Sequence, residues 1–334
     1  MTSKVSGGMS MTVGSLPHRS LSEAVIVALA ATDILTIPTL PRRSPAESMI
    51  AQALVGLPGV TVGQYGSIAV DATSIHATEA VRTDLDHDAF AGFRAVLNSA
   101  ADSGFSGVVK WQFVGPITLG LALQRAGVPN ATAFDIAMRS VRGHVTNLLA
   151  AVTAALPNCD QIVVLDEPEW SALFEPGFPL PPDVAIDLLS GALAIIETVA
   201  VAGVHCCGDA DLQSLMAAGP SLISLPAKLS VVDQAGHLQR FLESGRWIAW
   251  GAVPTDGPVP MTAEHPWKRL CELWCQLVQR GCSPAQLRQQ SLITPECGLG
   301  LHHPSVAERV LRINAELSSR VRDQATATRF SFGA

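Results

Sequence analysis

The chain has 334 residues, of which 48% are hydrophobic and only 15% are charged, so it can bury one large core. The formal net charge is −7, and no basic run is longer than Arg42 and Arg43, which argues against a surface for nucleic acids or anionic membranes. No apolar stretch is long enough to span a bilayer, and none near the N-terminus follows a basic cluster. We therefore expect a soluble, cytoplasmic protein with no nucleic-acid or membrane partner.

Short apolar runs alternate along the chain with longer amphipathic runs, which is typical of β–α units around a parallel sheet. Strands are predicted to begin near residues 11, 34, 108, 161, 203, 222, 246 and 291. Helices are predicted for residues 20–31, 86–103, 131–156, 182–202, 212–218, 267–280 and 305–321. The first helix opens with Ser20 and Glu23 at the spacing of a capping box.

Eight predicted strands favour a closed (β/α)₈ TIM barrel. The alternative is an open doubly wound sheet, but no glycine-rich dinucleotide-binding loop follows the first strand. No break in composition divides the chain, so residues 1–322 are predicted to form a single barrel domain. A hairpin excursion is expected near residues 60–70, and residues 323–334 are predicted to be a disordered tail.

The seven cysteines do not favour a disulfide framework, because their number is odd and the expected compartment is reducing. Four of them lie in predicted helices or linkers and are interpreted as core or incidental thiols: Cys159, Cys271, Cys275 and Cys282. The other three, Cys206, Cys207 and Cys297, follow predicted strands.

Polar and metal-competent residues occur where predicted strands end. In chain order they are Ser15, His18, Asp166, Glu167, His205, Cys206, Cys207 and Cys297. The C-terminal ends of the strands of a (β/α)₈ barrel form one rim, which carries the active site. Residues far apart in the sequence are therefore expected to converge there.

His205 and Cys207 are two residues apart in a predicted strand, so their side chains point to the same side while that of Cys206 faces the helices. Cys297 could reach the same point from the last strand. One imidazole and two thiolates suit Zn²⁺ and leave a fourth position for a substrate, whose thiol pKa the metal would lower. The alternative is a buried histidine among core cysteines.

Asp166 could bind a substrate ammonium group or act in acid–base chemistry, or it could simply cap the next turn. Ser15, after Gly14, could present a hydroxyl and backbone N–H groups to a carboxylate, or it could belong to a plain turn. Three histidines could be further rim residues or exposed side chains, and the sequence does not separate these possibilities: His18, His302 and His303.

These residues lie in five short motifs. They are Val13-Gly14-Ser15-Leu16-Pro17, Val109-Lys110 with Val114-Gly115-Pro116-Ile117-Thr118, Asp166-Glu167-Pro168, His205-Cys206-Cys207, and Pro295-Glu296-Cys297-Gly298-Leu299. With these motifs in this order, the chain resembles the C-terminal catalytic barrel of cobalamin-independent methionine synthase. That barrel belongs to a wider group with uroporphyrinogen decarboxylase and the corrinoid-dependent thiol methyltransferases.

The resemblance implies a zinc ion that is held by His205, Cys207 and Cys297 and activates the thiol of homocysteine for methylation to methionine. It also implies that Gly14 and Ser15 hold the carboxylate of the amino acid and that Asp166 holds its ammonium group. The predicted catalytic residues are Asp166, His205, Cys207 and Cys297. The predicted substrate-binding residues are Gly14, Ser15, His18, Asp166 and Glu167.

The chain departs from the family pattern in three ways. The synthases carry a glutamate in the zinc site after the next strand, where this chain has Pro226, so Glu296, Cys206 or water would fill the position. Their histidine and acidic residues on the next-to-last strand are replaced by Pro254-Thr255-Asp256-Gly257. The length matches a stand-alone catalytic half, which disfavours methyltetrahydrofolate as donor, so a methylcorrinoid protein or another methyl carrier is expected.

Two other functions are compatible with the sequence. A decarboxylase of the porphyrinogen type would need arginines around several substrate carboxylates, and few arginines lie at predicted strand ends. A degenerate, non-catalytic barrel that binds zinc or a ligand without turnover is favoured by the loss of the glutamate at Pro226.

Overall fold

The structure is a computed structural model and describes residue 2 and residues 4–63, 67–71 and 81–331. The strands are β1 (Leu35–Thr36), β2 (Val60–Val62), β3 (Ile68–Val70), β4 (Val108–Val114), β5 (Asp160–Asp166), β6 (Val201–His205), β7 (Leu222–Pro226), β8 (Trp247–Val253) and β9 (Ser291–Pro295). The helices are α1 (Leu21–Ala30), α2 (Met49–Ala53), α3 (Ala91–Asp102), α4 (Pro116–Arg125), α5 (Asn130–Ala155), α6 (Pro182–Glu197), α7 (Leu212–Ala217), α8 (Ala235–Glu243), α9 (Glu264–Gln279), α10 (Pro284–Gln289) and α11 (Pro304–Ser331).

Seven of the described strands form one parallel sheet, in the order β1-β4-β5-β6-β7-β8-β9. The sheet curls into a half-barrel surrounded by helices, and the architecture is TIM-barrel-like. Within the described ranges, no helix combines the length and the apolar character needed to cross a membrane.

The predicted closed barrel of eight strands is not observed, because the predicted first strand near residue 11 does not form a ladder. Its segment makes two isolated parallel bridges, from Ser10 to Ile293 of β9 and from Ser15 to Thr39 beyond β1. Some backbone groups of this segment bond to neighbouring strands, such as the N–H of Met11 to the carbonyl of Ile293, but side chains take others. Asn314 donates to the carbonyl of Met11, Thr36 accepts from the N–H of Thr12, and Lys110 donates to the carbonyl of Val13. Groups paired in this way are not available for a continuous ladder.

An apolar layer fills the inner side of the curled sheet. It consists of Val5, Met11, Ile34, Val108, Ile162, Val164, Leu222, Ala249 and Leu292. The residues that alternate with them along the strands, such as Val163 and Ile293, belong to the larger core beneath the helices. Since side chains alternate between the two faces of a strand, this layer identifies which residues point inward.

The helices follow the predicted amphipathic runs, with differences at their ends. The hydroxyl of Ser20 caps α1 by accepting from the N–H of Glu23 at 3.4 Å. α6 ends at Glu197, earlier than predicted, because the chain enters β6 at Val201. α11 continues to Ser331, into the segment predicted to be a disordered tail, since neither glycine nor proline interrupts residues 305–332.

β2 and β3 pair antiparallel in a separate two-stranded sheet, with Val60 opposite Val70. This sheet lies where the sequence predicts a hairpin excursion. Residues 64–66, between the two strands in sequence, lie outside the described residues.

The N-terminus of α4 is capped from a neighbouring loop by Glu167. Its carboxylate accepts from the backbone N–H groups of Ile117 and Thr118, each at 2.8 Å, and from the Thr118 hydroxyl at 2.6 Å. The side chain is fully buried, and burial raises the pKa of Glu167 to about 7. Gly115 allows this contact, because a Cβ there would lie 2.1 Å from the carboxylate.

Glu167→Ala should lower the free energy of unfolding by about 2–4 kcal/mol, because it leaves buried donors at the start of α4 without an acceptor. Glu169→Ala is the matched control. It removes a partly exposed ion pair with Arg125 and should cost less than about 1 kcal/mol. Urea unfolding of the two variants measures the difference, and equal losses would contradict the proposed cap.

Candidate metal centre

A layer of buried polar side chains lies on the inner face of the sheet, nearer the C-terminal ends of the strands than the apolar layer. Its members are Thr36, Lys110, Gln112, Asp166, His205, Ser224 and Thr294, each at most 9% exposed. Most of them follow an inward apolar residue of the same strand by two or four positions, so they face the same way. Polar groups at this depth need hydrogen-bond partners or a ligand, which marks this end of the sheet as the site.

Three potential metal ligands converge at the edge of this layer. Nitrogen of His205 and the sulfurs of Cys207 and Cys297 all lie within 4.8 Å of one another. His205 ends β6, Cys207 follows it by two residues, and Cys297 lies just beyond β9. Cys206 points away into the core beneath the helices, as the alternation predicts, and burial raises its pKa to about 11.

One nitrogen of the His205 imidazole lies within hydrogen-bond distance of a neighbouring side chain, and the other does not. Nδ1 lies 2.9 Å from the hydroxyl of Ser224, while Nε2 is buried and has no hydrogen-bond partner. An unpartnered nitrogen beside two thiols fits a metal ligand. Donor atoms around a tetrahedral zinc stand roughly 3.3–3.8 Å apart, which the observed spacing can accommodate. The three residues therefore form a possible metal-binding site, and their donor set suits zinc.

The two thiols are electronically unequal. A hydrogen bond from Cys297 lowers the pKa of Cys207, and the same hydrogen bond raises the pKa of Cys297 above its ordinary value. Cys207 is therefore the more acidic thiol of the pair. A metal ion held by both sulfurs would require both thiols to be deprotonated.

Asp166 brings an unpartnered carboxylate oxygen next to this group. It ends β5 and pairs in register with His205, and its Oδ1 is buried without a hydrogen-bond partner. Burial raises the pKa of Asp166, against the opposing charges of His205 and Lys110. A buried oxygen of this kind is suited to a cationic or hydrogen-donating group of a ligand.

A lysine supports the same layer from β4. Lys110 is buried, and its ammonium group donates to the carbonyl of Val13 and, at 3.0 Å, to Gln112. Burial lowers the pKa of Lys110 to about 8. The lysine therefore joins the N-terminal segment to β4 and places a positive charge inside the sheet, below the candidate metal centre.

One of the two predicted carboxylate-binding residues, Ser15, contacts the loop that carries Cys297. Its hydroxyl accepts from the N–H of Gly300 at 3.0 Å, and its carbonyl accepts from the N–H of Leu299 at 3.0 Å. Gly14 instead lies so close to Gln112 of β4 that a Cβ there would be 1.9 Å from the amide group. Ser15 therefore positions this loop, and contact of either residue with a substrate stays a prediction.

The other predicted residues differ in their surroundings. His18 is buried and its Nδ1 has no hydrogen-bond partner. Both carboxylate oxygens of Glu167 accept hydrogen bonds from the start of α4. Contact of either residue with a substrate stays a prediction. Nδ1 of His303 lies 2.9 Å from the hydroxyl of Ser305 at the start of α11, and His302 is partly buried.

The position that the resemblance assigns to a glutamate ligand is occupied by Pro226, the buried last residue of β7. Neither Glu296 nor Cys206 belongs to the group of possible ligands found in the described part of the chain. The sequence alone predicts no role for Lys110, Ser224 or Thr294, although Lys110 lies in one of the five motifs. The signal that could have identified them is their spacing, because each follows an inward-facing apolar residue of the same strand by two positions.

No protein-family model and no curated protein matches the chain. Among solved structures, it is similar to the "Putative Vitamin-B12 Independent Methionine Synthase from Listeria monocytogenes", with 15% identity and a TM-score of 0.52. That similarity covers 93% of this chain and 97% of the Listeria chain. At this identity it supports a distant relationship through the fold alone.

A second similar structure is bee venom hyaluronidase in complex with a hyaluronic acid tetramer. It has 10% identity and a TM-score of 0.36 and covers 80% of this chain and 83% of that chain. Such a low TM-score carries no functional argument.

Gly298→Ala should lower the free energy of unfolding by about 1–3 kcal/mol, because the new methyl group would crowd a packed contact. A Cβ at Gly298 would lie 2.3 Å from the hydroxyl of Ser15. Gly236→Ala in α8 is the control, since its Cβ would meet only Arg240 at 3.9 Å and alanine favours a helix. Denaturant unfolding compares the two variants, and an unaffected Gly298→Ala would argue against the tight contact between Ser15 and the Cys297 loop.

Proposed function

We propose that the protein is a zinc-dependent methyltransferase that transfers a methyl group to a thiol, with homocysteine as the acceptor and methionine as the product. The observation that carries the proposal is the convergence of His205, Cys207 and Cys297, with a buried imidazole nitrogen left without a partner. The fold shared with a structure described as a methionine synthase supports the same function.

When held by these three residues, zinc would supply the Lewis acidity that lowers the pKa of a substrate thiol. The chain itself would orient the acceptor. The free oxygen of Asp166 is suited to the ammonium group of an amino acid. Gly14 and Ser15 would hold its carboxylate, and Ser15 contacts the Cys297 loop. His18 is a further candidate for substrate contact.

The transfer itself needs a methyl donor of suitable reactivity. The acceptor sulfur loses its proton and uses an electron pair to form a bond to the methyl carbon. The bond between that carbon and the donor breaks, and its electron pair stays with the donor. We propose a methylcorrinoid protein, or another methyl carrier, in this role.

A non-catalytic barrel that binds zinc or a thiol ligand is the second candidate function. It is favoured by Pro226, which stands where the resemblance expects a carboxylate ligand. A decarboxylase of the porphyrinogen type receives less support, because the fully buried polar residues in the described part of the chain include no arginine.

Cys297→Ser should abolish stoichiometric zinc binding, because it removes one of three protein ligands. Cys275→Ser, an exposed cysteine outside the site, is the matched control and should keep the metal. Elemental analysis of protein purified without added zinc measures the loss. Zinc X-ray absorption of the wild-type protein should gain a Zn–S scatterer when homocysteine is added.

Methyl transfer is assayed with homocysteine and a methylcorrinoid donor, and Cys297→Ser should lose activity together with zinc. A fully active wild-type protein without zinc would overturn the proposed mechanism. Stoichiometric zinc and homocysteine binding, with no turnover from any donor offered, would favour the non-catalytic alternative.

A further inference from the structure

The hydrogen bond on the far side of the His205 ring comes from β7, which carries no metal ligand of its own. Ser224 pairs in register with His205, and the distance from its hydroxyl oxygen to Nδ1 is 2.9 Å. Ser224 is 2% exposed and His205 is 4% exposed, so water does not compete for this contact. The strand whose end is expected to supply a carboxylate ligand therefore supplies a hydroxyl to the imidazole.

We infer that Ser224 is a positioning residue that fixes the orientation and the tautomer of His205. This inference deepens the proposed function and rests on its metal site. A neutral imidazole that binds a metal through Nε2 carries its proton on Nδ1, so Nδ1–H must donate to an acceptor. In that tautomer the Ser224 oxygen, 2.9 Å from Nδ1, is the acceptor, and Nε2 remains available for the group formed with Cys207 and Cys297.

The backbone of Ser224 holds the same ligand segment. Its carbonyl accepts from the N–H of Cys206 at 3.1 Å, one residue before Cys207. The side chain and the main chain of Ser224 thus position a histidine and the residue next to a cysteine of the same group. Lower in this strand pair, Gly203 allows close packing, since a Cβ there would lie 3.2 Å from the carbonyl of Leu222.

Among the described residues, no other group forms a hydrogen bond with Nδ1 that could replace the contact with Ser224. Asp166 pairs with His205 from the other side, and the described hydrogen-bond partner of Nδ1 is the Ser224 hydroxyl. Removal of the hydroxyl would leave a buried Nδ1–H without an acceptor and the ring free to rotate. Mutation of such a hydrogen-bond partner of a ligating histidine typically weakens metal affinity by about 10–100-fold.

The first experiment measures zinc affinity by competition with a chelator. Ser224→Ala should bind zinc about 10–100-fold more weakly than the wild type, and Ser224→Thr, which keeps the hydroxyl, should recover most of the loss. Ser214→Ala is the matched control. Its hydroxyl is also buried, but it contacts Trp170 at 3.2 Å, outside the metal group. An affinity of Ser224→Ala within two-fold of the wild type, or equal losses in Ser224→Ala and Ser214→Ala, would overturn the inference.

The second experiment needs no metal. Long-range ¹H–¹⁵N correlation spectra of the metal-free protein, at a pH where imidazole is neutral, report the tautomer of His205. The signal is assigned by its loss in His205→Gln. The wild type should show a proton on Nδ1, and Ser224→Ala should show a mixture of tautomers. An unchanged tautomer in Ser224→Ala would overturn the inference. A changed tautomer in a protein that binds no zinc would support the role of Ser224 while contradicting the proposed function.

Discussion

The structure depends on how polar side chains are partnered inside the curled sheet. Burial of a hydrogen-bonding group without a partner lowers the free energy of unfolding by about 1–3 kcal/mol. Such groups therefore usually bond to other protein groups or to a ligand. Lys110 and Ser224 are paired with protein atoms. His205 and Asp166 each retain one buried atom without a partner, and these atoms lie on neighbouring strands. Together with the thiols near His205, these two atoms define the candidate site.

Consecutive carboxylates illustrate the same division. The carboxylate of Glu167 caps the N-terminus of α4, where its two oxygens accept hydrogen bonds from three donors. Asp166, one residue earlier, faces the opposite side and keeps a free oxygen. Since neighbouring residues of an extended segment point in opposite directions, one carboxylate builds the fold and the other remains available for chemistry.

The N-terminal segment links the fold to the site. It lies between β9 and β1 with scattered backbone hydrogen bonds and side-chain partners instead of a continuous ladder, and Ser15 then contacts the loop after Cys297. The position of Cys297 therefore depends on a segment almost the whole chain length away. This dependence explains why a small change at Gly298 is expected to affect stability, although glycine itself bears no reactive group.

The sequence by itself determined the alternation of strands and helices, the convergence of strand ends, and the same-side placement of His205 and Cys207, because these follow from local periodicity. Only the tertiary structure decided that residues near 11 form no continuous ladder, since distant side chains, including that of Lys110, take some of their backbone groups. It also decided that Glu167 caps α4 and that Ser224 contacts His205. Those outcomes depend on which groups meet across the sheet, and local patterns do not encode that pairing.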